Sequence, residues 1–310
     1  MSRIPLAQLP TPLEEAPRLS EVLGARILVK RDDLTGLALG GNKARKLEHL
    51  VADALAQGCD TLIAAGGAQS NFARMTAAAA ARAGMRCHLV LGGDAPERPT
   101  GNLVLDRILG ATLHFAGSSD WRVLEAGVEK LAQELGRTAY PMPIGGATAV
   151  GALGYALAAD ELMSQLADPP DWVVLADGSG GTHAGLLAAL PARVKILGVD
   201  VARPPVPHRQ RIPALAAQTA QLAGRPLPGG ELHLVDHTGT RYGSVTEECL
   251  DAIRLAARTE GLLLDPVYSG KAMAGLRAAV RDGRVSGTVV FLHTGGAPAL
   301  FADGYAEAVS

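Results

Sequence analysis

The sequence predicts an α/β protein built on a mostly parallel β-sheet with helices on both faces. Short runs of aliphatic and β-branched residues alternate with alanine-rich segments of helical length. Strands that are apolar throughout are typical of parallel sheets buried on both faces. Glycine-rich loops follow several of these strands, and in open parallel sheets ligands bind outside the carboxyl ends of the strands. The pattern therefore predicts a ligand site at those glycine loops.

Six apolar runs are the expected strands, and they occupy residues 27–31, 61–65, 87–91, 172–176, 195–199 and 288–292. Helices are expected at 47–57 and 71–83, because each segment stops at a glycine, the residue favoured just past a helix C-terminus. The proline-rich segment from Arg203 to Pro228 is expected to be an irregular surface excursion, either a lid or a tolerated insertion.

The bulk composition excludes several classes of protein. The chain has 310 residues, of which 48% are hydrophobic, and a formal net charge of −2 without a long run of either sign. This argues against nucleic acid or an anionic membrane as the main partner. Three widely spaced cysteines and scattered histidines predict neither a disulfide framework nor a metal site. The N-terminal residues show no signal peptide or membrane span, so a cytoplasmic location is expected.

The most informative motif is Leu39-Gly-Gly-Asn-Lys-Ala-Arg-Lys-Leu-Glu48, in which two glycines precede a helix that opens with Lys43. A lysine in the first turn lies at the positive end of the helix dipole, which favours the neutral amine that a Schiff-base enzyme needs. Lys46 follows on the same helix face and is placed to hold an anion near that end. The alternative interpretation is a solvated, basic helix start, which is common.

Two further loops are candidate binding segments. Gly178-Ser-Gly-Gly-Thr182 follows a strand and precedes an apolar helix, so its N–H groups and hydroxyls form an anion cradle, although helix–sheet packing alone can demand such glycines. The second segment is Gln69-Ser-Asn71, in which the side chains of Ser70 and Asn71 and the backbone amide of Phe72 can converge on a carboxylate. Serine and asparagine are also preferred N-caps whatever the function, and both interpretations are compatible.

Together these motifs resemble those of one known family. In order, the chain carries LGGNKARKLE (39–48), QSN (69–71), GSGGTHAG (178–185), LDPVYSGKAM (264–273) and HTGGAPALF (293–301). They resemble the pyridoxal-phosphate enzymes of the D-cysteine desulfhydrase and 1-aminocyclopropane-1-carboxylate deaminase family, over about residues 13–301.

The resemblance implies a fold, a cofactor and an assembly. The fold is that of fold type II pyridoxal-phosphate enzymes, with two open, twisted, mostly parallel sheets flanked by helices. A large cofactor-binding domain would comprise 1–45 and 153–310, and a small αβα domain 46–152. The cofactor would be pyridoxal 5'-phosphate, the substrate a small amino acid, and the protein a homodimer.

The resemblance also implies roles for individual residues. Lys43 would attach the cofactor as a Schiff base and transfer protons, Ser70 would assist proton transfer, and Tyr268 and Tyr242 would be the two active-site tyrosines. The cofactor would be held by Lys43, Lys46, Asn71, Gly178, Ser179, Gly180, Gly181, Thr182, Ser269 and Thr294. The substrate would be bound by Gln69, Ser70, Asn71 and Phe72.

One position separates the subfamilies. Where the deaminases carry a glutamate that bonds the pyridine nitrogen, this chain has Ser269, and Thr294 is a second hydroxyl expected near the same nitrogen. A carboxylate keeps the ring protonated and makes it a strong electron sink, whereas a hydroxyl leaves it neutral. We therefore expect α,β-elimination of D-cysteine to pyruvate, ammonia and hydrogen sulfide.

The substrate assignment has alternatives. Phe72 replaces a histidine that is usual in the desulfhydrases, which leaves the substrate open. The other candidates are L-cysteate sulfo-lyase, then 1-aminocyclopropane-1-carboxylate deaminase, and, outside the enzymes, a pyridoxal-phosphate-binding sensor without turnover.

Overall fold

A computed structural model describes residues 2–227, 229–240 and 242–309. The strands in this part of the chain are β1 (Leu13–Glu15), β2 (Arg26–Lys30), β3 (Thr61–Gly66), β4 (Arg86–Leu91), β5 (Thr112–Phe115), β6 (Ala139–Pro141), β7 (Trp172–Asp177), β8 (Lys195–Asp200), β9 (Leu232–Asp236) and β10 (Thr288–Leu292). The α-helices are α1 (Pro17–Leu23), α2 (Lys43–Ala56), α3 (Asn71–Ala83), α4 (Asn102–Ile108), α5 (Trp121–Leu135), α6 (Ala149–Ser164), α7 (Gly181–Leu187), α8 (His208–Leu222), α9 (Glu247–Glu260), α10 (Ser269–Arg281) and α11 (Tyr305–Val309).

Two sheets organise these elements. One has six strands in the order β1-β2-β10-β7-β8-β9, and the other has four in the order β5-β4-β3-β6. All neighbouring strands run parallel except β1, which is antiparallel to β2. The predicted class, two mostly parallel sheets flanked by helices, is confirmed. All four strands of the smaller sheet fall within 46–152, while the predicted domain bounds stay a prediction.

The six predicted strands are present, each within one residue of its expected start and end. Helix α3 has the predicted bounds. Helix α2 begins at Lys43, as the glycine motif predicted, and therefore four residues before the segment 47–57 expected from the apolar pattern. The four strands that the sequence did not predict, β1, β5, β6 and β9, are the edge strands of the two sheets.

The expectation of an irregular excursion from Arg203 to Pro228 is wrong for most of its length, because helix α8 occupies its centre. Its buried residues recur with helical spacing, at Ile212, Leu215, Ala216, Thr219 and Ala220. This apolar stripe stabilises the helix although Pro213 lies inside it. Pro228 lies outside the described residues.

A buried network of charges fixes helix α2. The Arg45 guanidinium contacts Asp32 at 2.9 Å and Glu161 of α6 at 2.8 Å, and Lys30 at the end of β2 contacts Glu161 at 2.5 Å. Although burial opposes ionisation of Glu161, its hydrogen bonds from Arg45 and Lys30 lower the pKa of this carboxyl to about 2. Two positive and two negative side chains therefore balance inside the protein and connect α2 to β2 and α6.

Replacing Arg45 should destabilise the fold strongly. Arg45→Met removes one of the two cations of this network and leaves Lys30 alone to balance two carboxylates, and an uncompensated buried charge typically costs about 3–5 kcal/mol. The free energy of unfolding, measured in denaturant, should fall by that amount. Arg86→Met is the control, because the Arg86–Asp60 pair has side chains 59% and 56% exposed and such pairs contribute about 1 kcal/mol or less. Equal losses in both variants would contradict this account of the network.

Candidate active site

The predicted glycine loops meet at one cleft. Its walls come from the segments that follow strands β3, β5, β6, β7, β8 and β10, from the start of α2 and from Tyr242 and Tyr268. Eleven of the predicted site residues line it: Lys43, Ser70, Asn71, Phe72, Gly178, Ser179, Gly180, Thr182, Tyr242, Tyr268 and Thr294. The other four, Lys46, Gly181, Gln69 and Ser269, lie outside its lining.

Lys43 is the first residue of α2, and its Nζ donates a hydrogen bond to Oδ1 of Asn42 at 2.9 Å. Burial lowers the pKa of the Lys43 amine to about 8, against the opposing effect of the Asp265 carboxylate. About a tenth of this amine is therefore neutral at pH 7, compared with fewer than about one in a thousand for an ordinary lysine, and the neutral form is the one that attacks an aldehyde.

Asn42 is a site residue that the sequence did not predict. Its amide nitrogen donates to the Thr182 hydroxyl at 3.0 Å, so one side chain connects the Lys43 amine to the glycine loop. Its backbone N–H also donates to the Thr294 carbonyl at 3.0 Å. Its position directly before Lys43 is the only signal in the sequence that could have indicated this role.

Lys46 lies behind the glycine loop rather than in the cleft wall. Its Nζ donates to the Gly145 carbonyl at 3.0 Å, and a Cβ added to Gly181 would come within 2.6 Å of it. Only glycine therefore allows the loop to approach this ammonium so closely. Burial lowers the pKa of Lys46 well below its usual range, and the neighbouring charges of Lys43 and Arg211 add to that effect.

The surroundings of Lys46 fit the phosphate of a bound cofactor. Within the described part of the chain, the backbone amides of Ser179 to Thr182 donate to no other residue. An ammonium group has three donors, and Gly145 accepts from one of them. Free amide donors beside a buried cation are the groups that bind phosphate.

Ser70 and Asn71 open helix α3, where Ser70 is the N-cap and its Oγ accepts from the Ala73 amide at 3.2 Å. Since Ser70 also lines the cleft, its capping role is compatible with a role toward substrate. The Asn71 Oδ1 accepts from the Arg74 guanidinium at 3.1 Å. This contact occupies the Asn71 oxygen, whereas its amide nitrogen donates to no residue in the described part of the chain, and Asn71 lines the cleft.

Gln69 was expected to bind substrate, but its side chain lies outside the cleft lining. Its Nε2 donates to the Thr100 carbonyl at 3.0 Å, and its Oε1 accepts from the Asn102 amide at 2.8 Å. The side chain therefore fastens the start of α4 to the loop after β3. Nothing in the sequence pattern distinguished this direction from one toward the cleft.

Tyr242 and Tyr268 lie together on the cleft wall. Their hydroxyl groups share a hydrogen bond, and the rings meet edge to face with centroids 6.2 Å apart. Burial raises the pKa of both phenols, so they stay protonated at neutral pH. The pair therefore offers one proton that can be passed between two oxygens or donated to a group in the cleft.

Asp265 fixes the turn that carries Tyr268. Its carboxylate accepts from the amides of Val267, Tyr268 and Ser269 at 2.8–2.9 Å and from the Ser269 hydroxyl at 2.6 Å. The Ser269 hydroxyl is thus turned to Asp265 and not to the cleft. Of the two hydroxyls expected near a pyridine nitrogen, only that of Thr294 belongs to a residue that lines the cleft.

Comparison with known proteins identifies the family. Residues 4–295 match the model of the pyridoxal-phosphate dependent enzyme family. A D-cysteine desulfhydrase from Yersinia enterocolitica is 44% identical over 97% of this chain and 95% of its own length. A putative 1-aminocyclopropane-1-carboxylate deaminase from Pyrococcus abyssi is 41% identical over 96% and 93%. The crystal structure of a protein described as a 1-aminocyclopropane-1-carboxylate deaminase homologue superimposes with a TM-score of 0.91 at 37% identity, covering 100% of this chain and 95% of the other.

The chain therefore belongs to the family of pyridoxal-phosphate dependent enzymes. The predictions of a fold type II enzyme, of a lyase and of pyridoxal phosphate as cofactor are confirmed. Among the described residues, no helix has the length and apolar character needed to cross a membrane.

The lowered pKa of Lys43 predicts how cofactor attachment depends on pH. After removal of the cofactor, the rate at which added pyridoxal phosphate attaches should rise with pH through about 8 and then level off, because only the neutral amine reacts. An ordinary lysine would keep gaining reactivity up to about pH 10.4. Stopped-flow absorbance would measure the rate, and a profile with no inflection below pH 9 would contradict the assigned pKa.

Proposed function

We propose that this enzyme catalyses α,β-elimination of D-cysteine, giving pyruvate, ammonia and hydrogen sulfide. The observation that carries the proposal is the turn after Tyr268, where Ser269 is bound to Asp265 and Thr294 presents the available hydroxyl. Neither residue offers a carboxylate to a pyridine nitrogen. The identity of 42–44% with proteins named D-cysteine desulfhydrase supports the same assignment.

The residues of the cleft can perform the proton transfers that this elimination requires. Pyridoxal phosphate, when bound, supplies the electron sink for the carbanion that forms at the substrate Cα. The Lys43 amine, once released by the substrate, accepts the Cα proton. The Tyr242–Tyr268 pair, which is protonated, donates a proton to the departing thiolate. Ser70 and the N–H groups at the start of α3 bind the substrate carboxylate.

A second candidate is 1-aminocyclopropane-1-carboxylate deaminase, which the similarity to a protein with that name favours. The substrate of the deaminase carries no good leaving group next to the carbanion. Opening of its cyclopropane ring therefore depends more strongly on a protonated pyridine ring than elimination of sulfide does. Ser269 at the position of the deaminases' glutamate therefore favours the desulfhydrase over the deaminase.

Product formation from a panel of amino acids tests the proposal. The holoenzyme would be assayed with D-cysteine, L-cysteine, L-cysteate, β-chloro-D-alanine and 1-aminocyclopropane-1-carboxylate, with 2-oxo acids measured by a coupled dehydrogenase. The highest kcat/KM is expected with D-cysteine. A preference for L-cysteate would replace the proposal by the sulfo-lyase, and efficient 2-oxobutyrate formation by the deaminase. Retained cofactor without any product would indicate a sensor.

Tyr268→Phe should lower turnover of D-cysteine by about 10²–10⁴-fold, the usual contribution of a general acid–base group. Its packing should be retained because only the hydroxyl is removed. Tyr140→Phe is the matched control, since this hydroxyl donates to Asp53 at 2.6 Å and lies outside the cleft lining. Near-normal turnover in Tyr268→Phe would exclude a proton-transfer role for this phenol.

A further inference from the structure

A buried arginine connects two parts of the cleft wall without lining the cleft itself. Arg74 lies one turn after Asn71 on α3, and its residue exposure is 0%. Its guanidinium donates to the carbonyl of Ala38, to the carbonyl of Gly40 at 3.1 Å and to Oδ1 of Asn71 at 3.1 Å. One planar group therefore holds both the loop before α2 and a side chain at the start of α3.

The loop that Arg74 holds has an unusual backbone. Ala38, Leu39, Gly40 and Gly41 have φ angles of 43°, 69°, 71° and 133°. Ala38 and Leu39 are the only non-glycine residues with positive φ in the described part of the chain. Side chains disfavour this region, and such conformations persist only where the surroundings hold them. The loop leads within two residues to Lys43.

We propose that Arg74 is a positioning residue that sets the Lys43 loop and the Asn71 amide in one fixed geometry, so that both present to the same bound cofactor. The Gly40 carbonyl and the Asn71 oxygen accept from the same Nη2 atom. Movement of either partner therefore breaks the shared geometry. The proposal rests on Lys43 as the residue that attaches the cofactor and not on the identity of the substrate.

The charge of Arg74 adds a second effect. Asp106 of α4 lies near it, but neither oxygen of this carboxyl has a hydrogen-bond partner among the described residues, and burial raises its pKa to about 7. Since no carboxylate forms a hydrogen-bonded ion pair with Arg74 among the described residues, its positive charge is not neutralised locally and influences the ionisation of nearby groups. The charged groups that act on Lys43 are Arg74 and Lys46, which favour the neutral amine, and Asp265, which opposes them.

Two substitutions separate geometry from charge. Arg74→Lys keeps the positive charge but cannot reach three acceptors as a planar fork does, whereas Arg74→Gln removes the charge as well. Arg82→Gln is the matched control, because Arg82 lies on the same helix and donates to the carbonyls of Leu6 and Pro5 at 3.2 Å, away from the cleft.

Three measurements on the holoprotein read out the role: the dissociation constant of pyridoxal phosphate, hydrogen exchange of the amides of residues 38–42, and the pH at which absorbance of the bound cofactor changes. Both Arg74 variants should bind the cofactor about tenfold or more weakly and exchange residues 38–42 about tenfold faster, since hydrogen bonds from a charged group are lost. Only Arg74→Gln should move the absorbance midpoint to higher pH. Arg82→Gln should change none of these.

Arg74→Lys with wild-type cofactor affinity and wild-type exchange at 38–42 would overturn the proposal. Faster exchange spread evenly over α3 and both sheets would also overturn it, because that result describes a general loss of stability. If Arg74→Gln does not fold, the affinity and exchange of Arg74→Lys still decide the positioning role. Since no measurement uses D-cysteine, an incorrect substrate assignment leaves this test unaffected.

Discussion

The buried ion network around Arg45 is the interaction on which the rest of the site depends. Residues 44–52 of α2 are buried, although they include Arg45, Lys46 and Glu48. Charged side chains are tolerated inside a protein only where they are paired or hydrogen-bonded. Arg45 is paired with Asp32 and Glu161, and Glu48 accepts from the amides of Leu6 and Ala7 at 3.0 Å. These contacts fix the rotation of α2 about its axis.

That rotation determines where Lys43 and Lys46, the two lysines proposed to hold the cofactor, lie. Successive residues of a helix turn by about 100°, so Lys43 and Lys46, three positions apart, lie on one side of α2, whereas Arg45 points away from Lys43. Arg45 is turned toward β2 and α6, Lys43 toward the cleft and Lys46 toward the loop that ends at Thr182. One helix turn thus provides an anchor, an amine of lowered pKa that lines the cleft and a second lysine whose amine lies against the glycine loop. A rotation of α2 would move all three together.

The sequence predicts the interior of the fold better than its margins. Inner strands of the parallel sheets are apolar on both faces, which makes them recognisable, whereas the edge strands β1, β5, β6 and β9 have three to five residues and are half-exposed. Edge strands with so few residues do not produce a clear alternating pattern. Helix α8 was missed because the prolines before, within and after it outweighed its apolar stripe.

The same distinction holds for the site. Motifs next to strand ends predicted that Lys43, Ser70 and the loop after β7 lie together, and all three line one cleft, because parallel topology brings these strand ends together. Asn42, Arg74 and Asp265 were not predicted, since their importance lies in hydrogen bonds to particular atoms. The contacts of Asn42 with Thr182 and of Arg74 with Gly40 span 140 and 34 positions, respectively. Ser269 and Gln69 were predicted at the site but lie outside the cleft lining. The Ser269 hydroxyl is bound to the Asp265 carboxylate, and the Gln69 amide donates to the Thr100 carbonyl.

The central claim is that Lys43, fixed at the start of α2, is the residue to which the cofactor is attached. Borohydride reduction of the holoprotein, followed by proteolysis and mass spectrometry, tests this claim most directly, because reduction makes the lysine–cofactor bond permanent. The account predicts that the phosphopyridoxyl group is found on Lys43. Label on Lys46 or Lys271, or no label in a protein that retains its cofactor, would contradict it.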